Sequence, residues 1–159
     1  MTPGTVHPPR LEDVLQQFRF HPDEVTADLL EPFIAEDSKP DWTDPRMGSL
    51  AKILSDTVSV NAAATSIMTQ EPWDFMAIYF DGIDHFSHGF MKYHPPRQDW
   101  VEEKDYAVFK SVVEGAYRLH DLMLGTHLEL AGENTTVIIL SDHGFNSGEL
   151  RPEHIPVEP

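Results

Sequence analysis

Four side chains in two short stretches are of the types that hold divalent metals. Asp84 and His88 stand four residues apart in Asp81-Gly-Ile-Asp-His-Phe-Ser-His88. On a helical turn that spacing puts a carboxylate and an imidazole on one face. Asp142 and His143 are adjacent in Ser141-Asp-His-Gly144, where a turn can aim both at one point. Carboxylate oxygen and imidazole nitrogen are donors that suit zinc and similar divalent ions. Either pair alone says little, because Asp and His are common in loops. Their weight comes from where they stand, at the ends of two apolar, aromatic-rich runs.

Those runs are Phe75-Met-Ala-Ile-Tyr-Phe80 and Val137-Ile-Ile-Leu140. Short apolar runs between polar punctuation predict buried strands, over about 74–80 and 135–140. Between them, Tyr106, Phe109, Val113, Ala116, Tyr117, His120, Leu124, His127 and Ala131 recur three or four apart. That spacing predicts one long helix over 106–131, with Gly132 as its C-cap. Strand, helix, strand is a βαβ unit, with parallel strands and a right-handed crossover. Both strand ends then meet at one edge of the sheet, where open α/β sheets build their sites. Asp84, His88, Asp142 and His143 would converge there. The predicted fold class is α/β, with a parallel sheet and a core βαβ unit over about 73–145.

Upstream, Leu11, Val14, Leu15 and Phe18 mark a short amphipathic helix over 10–18. Pro22-Asp-Glu24 reads as the start of a second helix running to about Leu30. Asp44-Pro45 reads as an N-cap and first helical residue of a third, over 46–69, which Glu71-Pro72 ends. Residues 81–97 read as a long loop, and long loops inside compact domains are usually functional. Two strands make too narrow a sheet for helices of this size. The sequence therefore reads as the middle of a larger α/β domain filling 1–159.

The remaining candidates have plainer readings. Asp81 ends a strand or supports the site, and His85 is supporting or exposed. His120 and His127 lie on the apolar face of the long helix and read as core or boundary residues. His7, His21, His94 and His154 sit beside Pro or in polar turns and read as exposed. Ser87 and Ser141 read as turn or packing residues rather than nucleophiles. Asn134-Thr-Thr136 matches the glycosylation sequon but carries no weight without a sign of secretion. There is no G-x-S-x-G, P-loop, G-x-G-x-x-G or H-E-x-x-H.

Composition sets limits. The formal net charge of -16 argues against a nucleic-acid polymer as partner. An acidic protein acting on phosphate esters needs metal ions to offset the repulsion. There is no cysteine, hence no disulfide and no thiolate metal ligand. No run of ~18 apolar residues occurs, so no membrane span is expected. Compartment and oligomeric state stay open.

Asp84-His-Phe-Ser-His88-Gly and Ser141-Asp-His-Gly144 together resemble two metal motifs of the type I phosphodiesterase/nucleotide pyrophosphatase family, within the alkaline phosphatase superfamily. Gly115-Ala-Tyr-Arg-Leu-His-Asp121 is similar to the helix preceding the second motif. The resemblance covers roughly 73–152. It implies a three-layer, alkaline-phosphatase-like α/β domain, of which this would be a central part. It also implies two divalent metals, zinc by preference, with Asp84 and His88 on one and Asp142 and His143 on the other. The implied reaction is hydrolysis of small phosphate esters through a covalent phospho-enzyme. The family's first strand, early Asp and Thr or Ser nucleophile match nothing here, so the nucleophile is expected upstream and no catalytic residue is assigned. His154, in Arg151-Pro-Glu-His-Ile-Pro156, comes too early to be the family's last His ligand. Each metal keeps two matched ligands where zinc usually takes three or four, and the polypeptide is expected to be inactive alone. Two alternatives stand beside this reading. One is a sister branch, a sulfatase, phosphonate hydrolase or phosphomutase. The other is a non-catalytic metal-binding or interaction module.

Overall fold

The structure, a computed structural model, describes residues 4–146. A 3-10 turn, Pro9–Leu11, leads into α1, Glu12–Gln17. A second turn, Pro22–Glu24, precedes α2, Ala27–Leu30, and a third, Glu31–Phe33, follows it. The long helix α3 spans Pro45–Gln70. Helix α4 spans Gly82–Phe90 and continues into the 3-10 turn Met91–Tyr93. Helices α5, Glu103–Phe109, and α6, Val112–Ala131, complete the series.

Local chemistry sets the helix ends. The Asp44 carboxylate accepts from the Arg46 backbone N–H at 2.9 Å, and Pro45 fills a first-turn position that needs no N–H. At its far end α3 stops at Glu71, whose extended backbone suits the residue before Pro72. Gly132 closes α6 with φ of 71°, in the left-handed region that favours glycine.

Helices α3, α4 and α6 pack around one apolar core, with the Glu31–Phe33 turn against α6. Phe86 of α4 is wholly buried and stacks on Phe33 with ring centroids 5.4 Å apart. Phe90 and Tyr93 meet Phe109 of α5 at 5.5 and 5.2 Å. Full burial of each such ring stabilises by about 1.5–3 kcal/mol. Arg46 ties α3 to α5: its guanidinium lies 4.6 Å from the Phe109 ring centroid and donates to Asp44, Asp105 and the Tyr93 hydroxyl. Those hydrogen bonds hold the Asp44 and Asp105 carboxyls below their ordinary pKa, against the opposing effect of burial.

The expected α/β class is not what the chain forms. Among the described residues there is no strand and no sheet, so neither the βαβ unit over 73–145 nor a parallel three-layer arrangement is present. The runs over 74–80 and 135–140 are irregular and largely exposed. Phe75 is 84 % exposed and Leu140 86 %. The physical reason is that an apolar run describes a segment fit for burial and does not supply its neighbour. A strand exists only when its backbone groups find a ladder partner, and these two runs do not pair.

Helix boundaries differ as well. The predicted helix over 106–131 is two helices, interrupted at Lys110 and Ser111. The expected loop over 81–97 is mostly helical, as α4 and the turn after it. Residues 10–18 and 22–30 form 3-10 turns and short helices rather than two continuous ones.

Gly82, at the first position of α4, is where three helices come closest. A Cβ there would stand 2.5 Å from Thr57 Oγ1 of α3 and 2.9 Å from His120 Cε1 of α6. Thr57 is itself held by donating to the Ile53 carbonyl at 2.8 Å. Gly82→Ala should therefore destabilise the protein by about 1–3 kcal/mol, although alanine is the better helix former. Urea unfolding measures this; unchanged or raised stability would show that the neighbours yield without cost.

Candidate metal centre

Helix α4 is built as a two-sided element. Phe86, Ser87 and Phe90 face the core, while Asp84 and His88 emerge together one turn apart on the other side. His88 Nε2 lies 3.4 Å from Asp84 Oδ1. The 141–144 turn brings a second imidazole to the same oxygen: His143 Nε2 is 3.7 Å from Asp84 Oδ1. Three of the four predicted residues thus meet at one carboxylate oxygen. The fourth, Asp142, stands outside this group, with Oδ2 3.8 Å from His143 Nε2 and its side chain 77 % exposed.

None of these contacts is a hydrogen bond, and Asp84 Oδ1 is buried without a hydrogen-bond partner among the described residues. Burying a carboxylate oxygen without a hydrogen bond is costly, so this atom suits a cation, whether a protonated imidazole or a metal ion. The His143 tautomer suits one too. Nδ1–H donates to the Gly144 carbonyl at 3.0 Å, so whenever the ring is neutral its lone pair is on Nε2, the nitrogen 3.7 Å from Asp84 Oδ1. A backbone carbonyl on the far ring nitrogen is the support that metal-binding histidines commonly have. That hydrogen bond, with Asp142 and Asp84 nearby, raises the His143 pKa from its ordinary value. Among the described residues no three His, Cys, Asp or Glu side chains already form a metal shell. The donors are strung as a chain of pairs rather than closed around a point.

Other candidates fall as follows. Asp81 lies 3.8 Å from His85 Nδ1, one turn on and to the side of the Asp84 group. His7 and His85 are exposed, His94 is half-buried, and His154 lies outside the described residues. Ser87 is buried, and the Ser141 hydroxyl donates to the His143 carbonyl. Sequence reasoning passed over Phe145, whose ring stands edge-to-face with His88 at 5.0 Å. Its one visible signal was an aromatic placed directly after Gly144.

Residues 4–157 match the family model described as Type I phosphodiesterase / nucleotide pyrophosphatase. The chain belongs to this family. No curated protein and no solved structure matches it significantly. No helix among the described residues is long and apolar enough to cross a membrane. Within this phosphodiesterase-family chain, the matched span takes in both motif pairs and the helices between them.

Two further histidines shape the stability of this family member rather than its site. His120 and His127 both face Phe80, with ring centroids 5.8 and 5.9 Å away. His120 Nδ1–H donates to the Ala116 carbonyl at 2.8 Å, and Nε2 of each ring is buried without a hydrogen-bond partner among the described residues. Burial lowers both pKa values from the ordinary histidine value. The unfolded chain therefore binds protons near pH ~6.5 while the folded chain does not. The stability linked to these groups is intact above that pH and is lost as pH falls below it. Thermal melts at about pH 7.5 and about pH 5.5, either side of that reference, should show a smaller acid-induced fall in Tm for His120→Gln/His127→Gln than for the wild type. An equal fall would show that these rings do not carry the effect.

Proposed function

We propose that Asp84, His88, Asp142 and His143 bind divalent metal, two ions with zinc the best match to the donors, and that the site serves metal-dependent hydrolysis of small phosphate esters. Membership of the family supports phosphodiesterase- or pyrophosphatase-type hydrolysis. The observation that carries the metal reading is the buried Asp84 Oδ1, without a hydrogen bond among the described residues, with the Nε2 atoms of His88 and His143 turned towards it.

Each residue has a physical task. Asp84 supplies the central charge, its Oδ1 buried and its side chain 32 % exposed, and the body of α4 holds it in place. His88 shares its helical face, so the pair arrives pre-oriented at little entropic cost. His143 is presented through Nε2 by its hydrogen bond to Gly144. Asp142 is the solvent-side carboxylate of the set. A bound divalent ion would supply charge to offset that of the phosphate ester and lower the pKa of an attacking oxygen. Neither hydroxyl beside the ligands is proposed as nucleophile: Ser87 is 1 % exposed, and the Ser141 hydroxyl is engaged with the His143 carbonyl. The polypeptide alone is accordingly proposed to bind metal without turnover.

Calorimetric zinc titration tests the metal reading. His88→Ala and His143→Ala should each weaken binding by at least ~10-fold, the effect seen even for residues that only support a ligand. Equal binding with both histidines removed would refute the assignment. Hydrolysis of a chromogenic phosphodiester with added zinc tests the second part. Turnover that disappears in Asp142→Asn would show that the chain supplies its own nucleophile.

A further inference from the structure

The turn carrying Asp142 and His143 has little to hold it. Its hydrogen bonds among the described residues are internal, from the Ser141 hydroxyl to the His143 carbonyl and from His143 Nδ1 to the Gly144 carbonyl. The apolar residues before it are no anchor, since Ile138, Ile139 and Leu140 are largely exposed. The 3.7 Å approach of His143 to Asp84 joins two partly solvated groups, and such pairs contribute little. One side chain differs. Phe145 is partly buried and packs against the core cluster. Its ring also lies 5.0 Å from that of His88 at an interplanar angle of 89°. Edge-to-face contacts are directional, so this one fixes orientation as well as proximity.

We propose that Phe145 is a positioning residue: its packing on the core and on the His88 ring seats the 141–144 segment on α4, so that His143 Nε2 faces Asp84. The two ligand pairs lie far apart in sequence, and Phe145 lies beside one and against the other. Its role follows from mechanics. The ring is rooted in apolar packing that does not depend on metal, so the turn is seated before any ion arrives. Ligands held in place beforehand bind more tightly than ligands that must be gathered. The value of this seating for metal affinity rests on the metal reading above, whereas the seating itself does not.

The test has two arms on the full chain. In the metal-free arm, NMR should show NOEs between the His143 ring and the Asp84 side chain in the wild type. They should be lost in Phe145→Ala and kept in Phe145→Tyr. In the zinc arm, Phe145→Ala should weaken binding by about tenfold, the usual effect of a supporting residue, and Phe145→Tyr should restore it. In a His143→Ala background the same Phe145→Ala change should add little, because its main target is already gone. Phe145→Leu keeps apolar volume and loses the ring contact. It should fall between the two, and it decides the matter if the alanine variant does not fold. NOEs that persist in Phe145→Ala, or an equal tenfold loss with and without His143, would overturn the proposal. A wild type that binds no zinc would defeat the metal reading alone, and the metal-free arm would still judge Phe145.

Discussion

The close approach at Gly82 is the constraint on which the rest depends. Thr57 of α3 and His120 of α6 leave no room for a side chain where α4 begins. The helix is thereby pinned at its first residue, and Phe86 and Phe90 then fix its rotation by entering the core. With position and rotation set, Asp84 and His88 can only emerge on the opposite side. The placing of Asp84 and His88 is thus a consequence of packing that contains neither of them. Substitutions in the core should reach it through the angle of α4 rather than through its chemistry.

The approach of His88 and His143 to Asp84 was legible in the sequence, whereas the exposed place of Asp142 was not. The four-residue step from Asp84 to His88 is a helical step and a helix carries them, although residues 81–97 as a whole read as a loop. The adjacency of Asp142 and His143 after an apolar run suggested a turn; the segment is irregular, with a bend at Asp142, and it brings His143 to Asp84. The Asp44-Pro45 cap and the Gly132 stop were visible because they rest on backbone geometry within one or two residues. The sheet is what failed. Phe75-Met-Ala-Ile-Tyr-Phe80 and Val137-Ile-Ile-Leu140 have strand-like composition, but pairing is a relation between segments that no single segment encodes. Three of the four residues therefore come together without the βαβ unit invoked to explain it, and Asp142 stays outside. Phe145 was missed for a related reason, since a lone aromatic after a glycine has no periodicity to announce it.

Electrostatics gives the site its direction. The chain carries a formal net charge of -16, and no Lys or Arg pairs with Asp84 among the ion pairs of the described residues. Arg46, by contrast, is shared between Asp44 and Asp105. The carboxylates that hold the fold together are thus neutralised by the protein, whereas Asp84 is left to histidines that are uncharged when ready to bind metal. A phosphate ester approaching such a surface is repelled unless a cation intervenes. Metal binding and substrate class are therefore linked claims, and the first is the more basic.

The most direct test is to find the ion. Crystals grown with zinc and measured at the zinc absorption edge should show an anomalous peak bonded to Asp84 Oδ1 and to an imidazole Nε2 of His88 or His143, at about 2.0–2.2 Å. A peak elsewhere on the acidic surface, with Asp84 Oδ1 still unpartnered, would contradict the account.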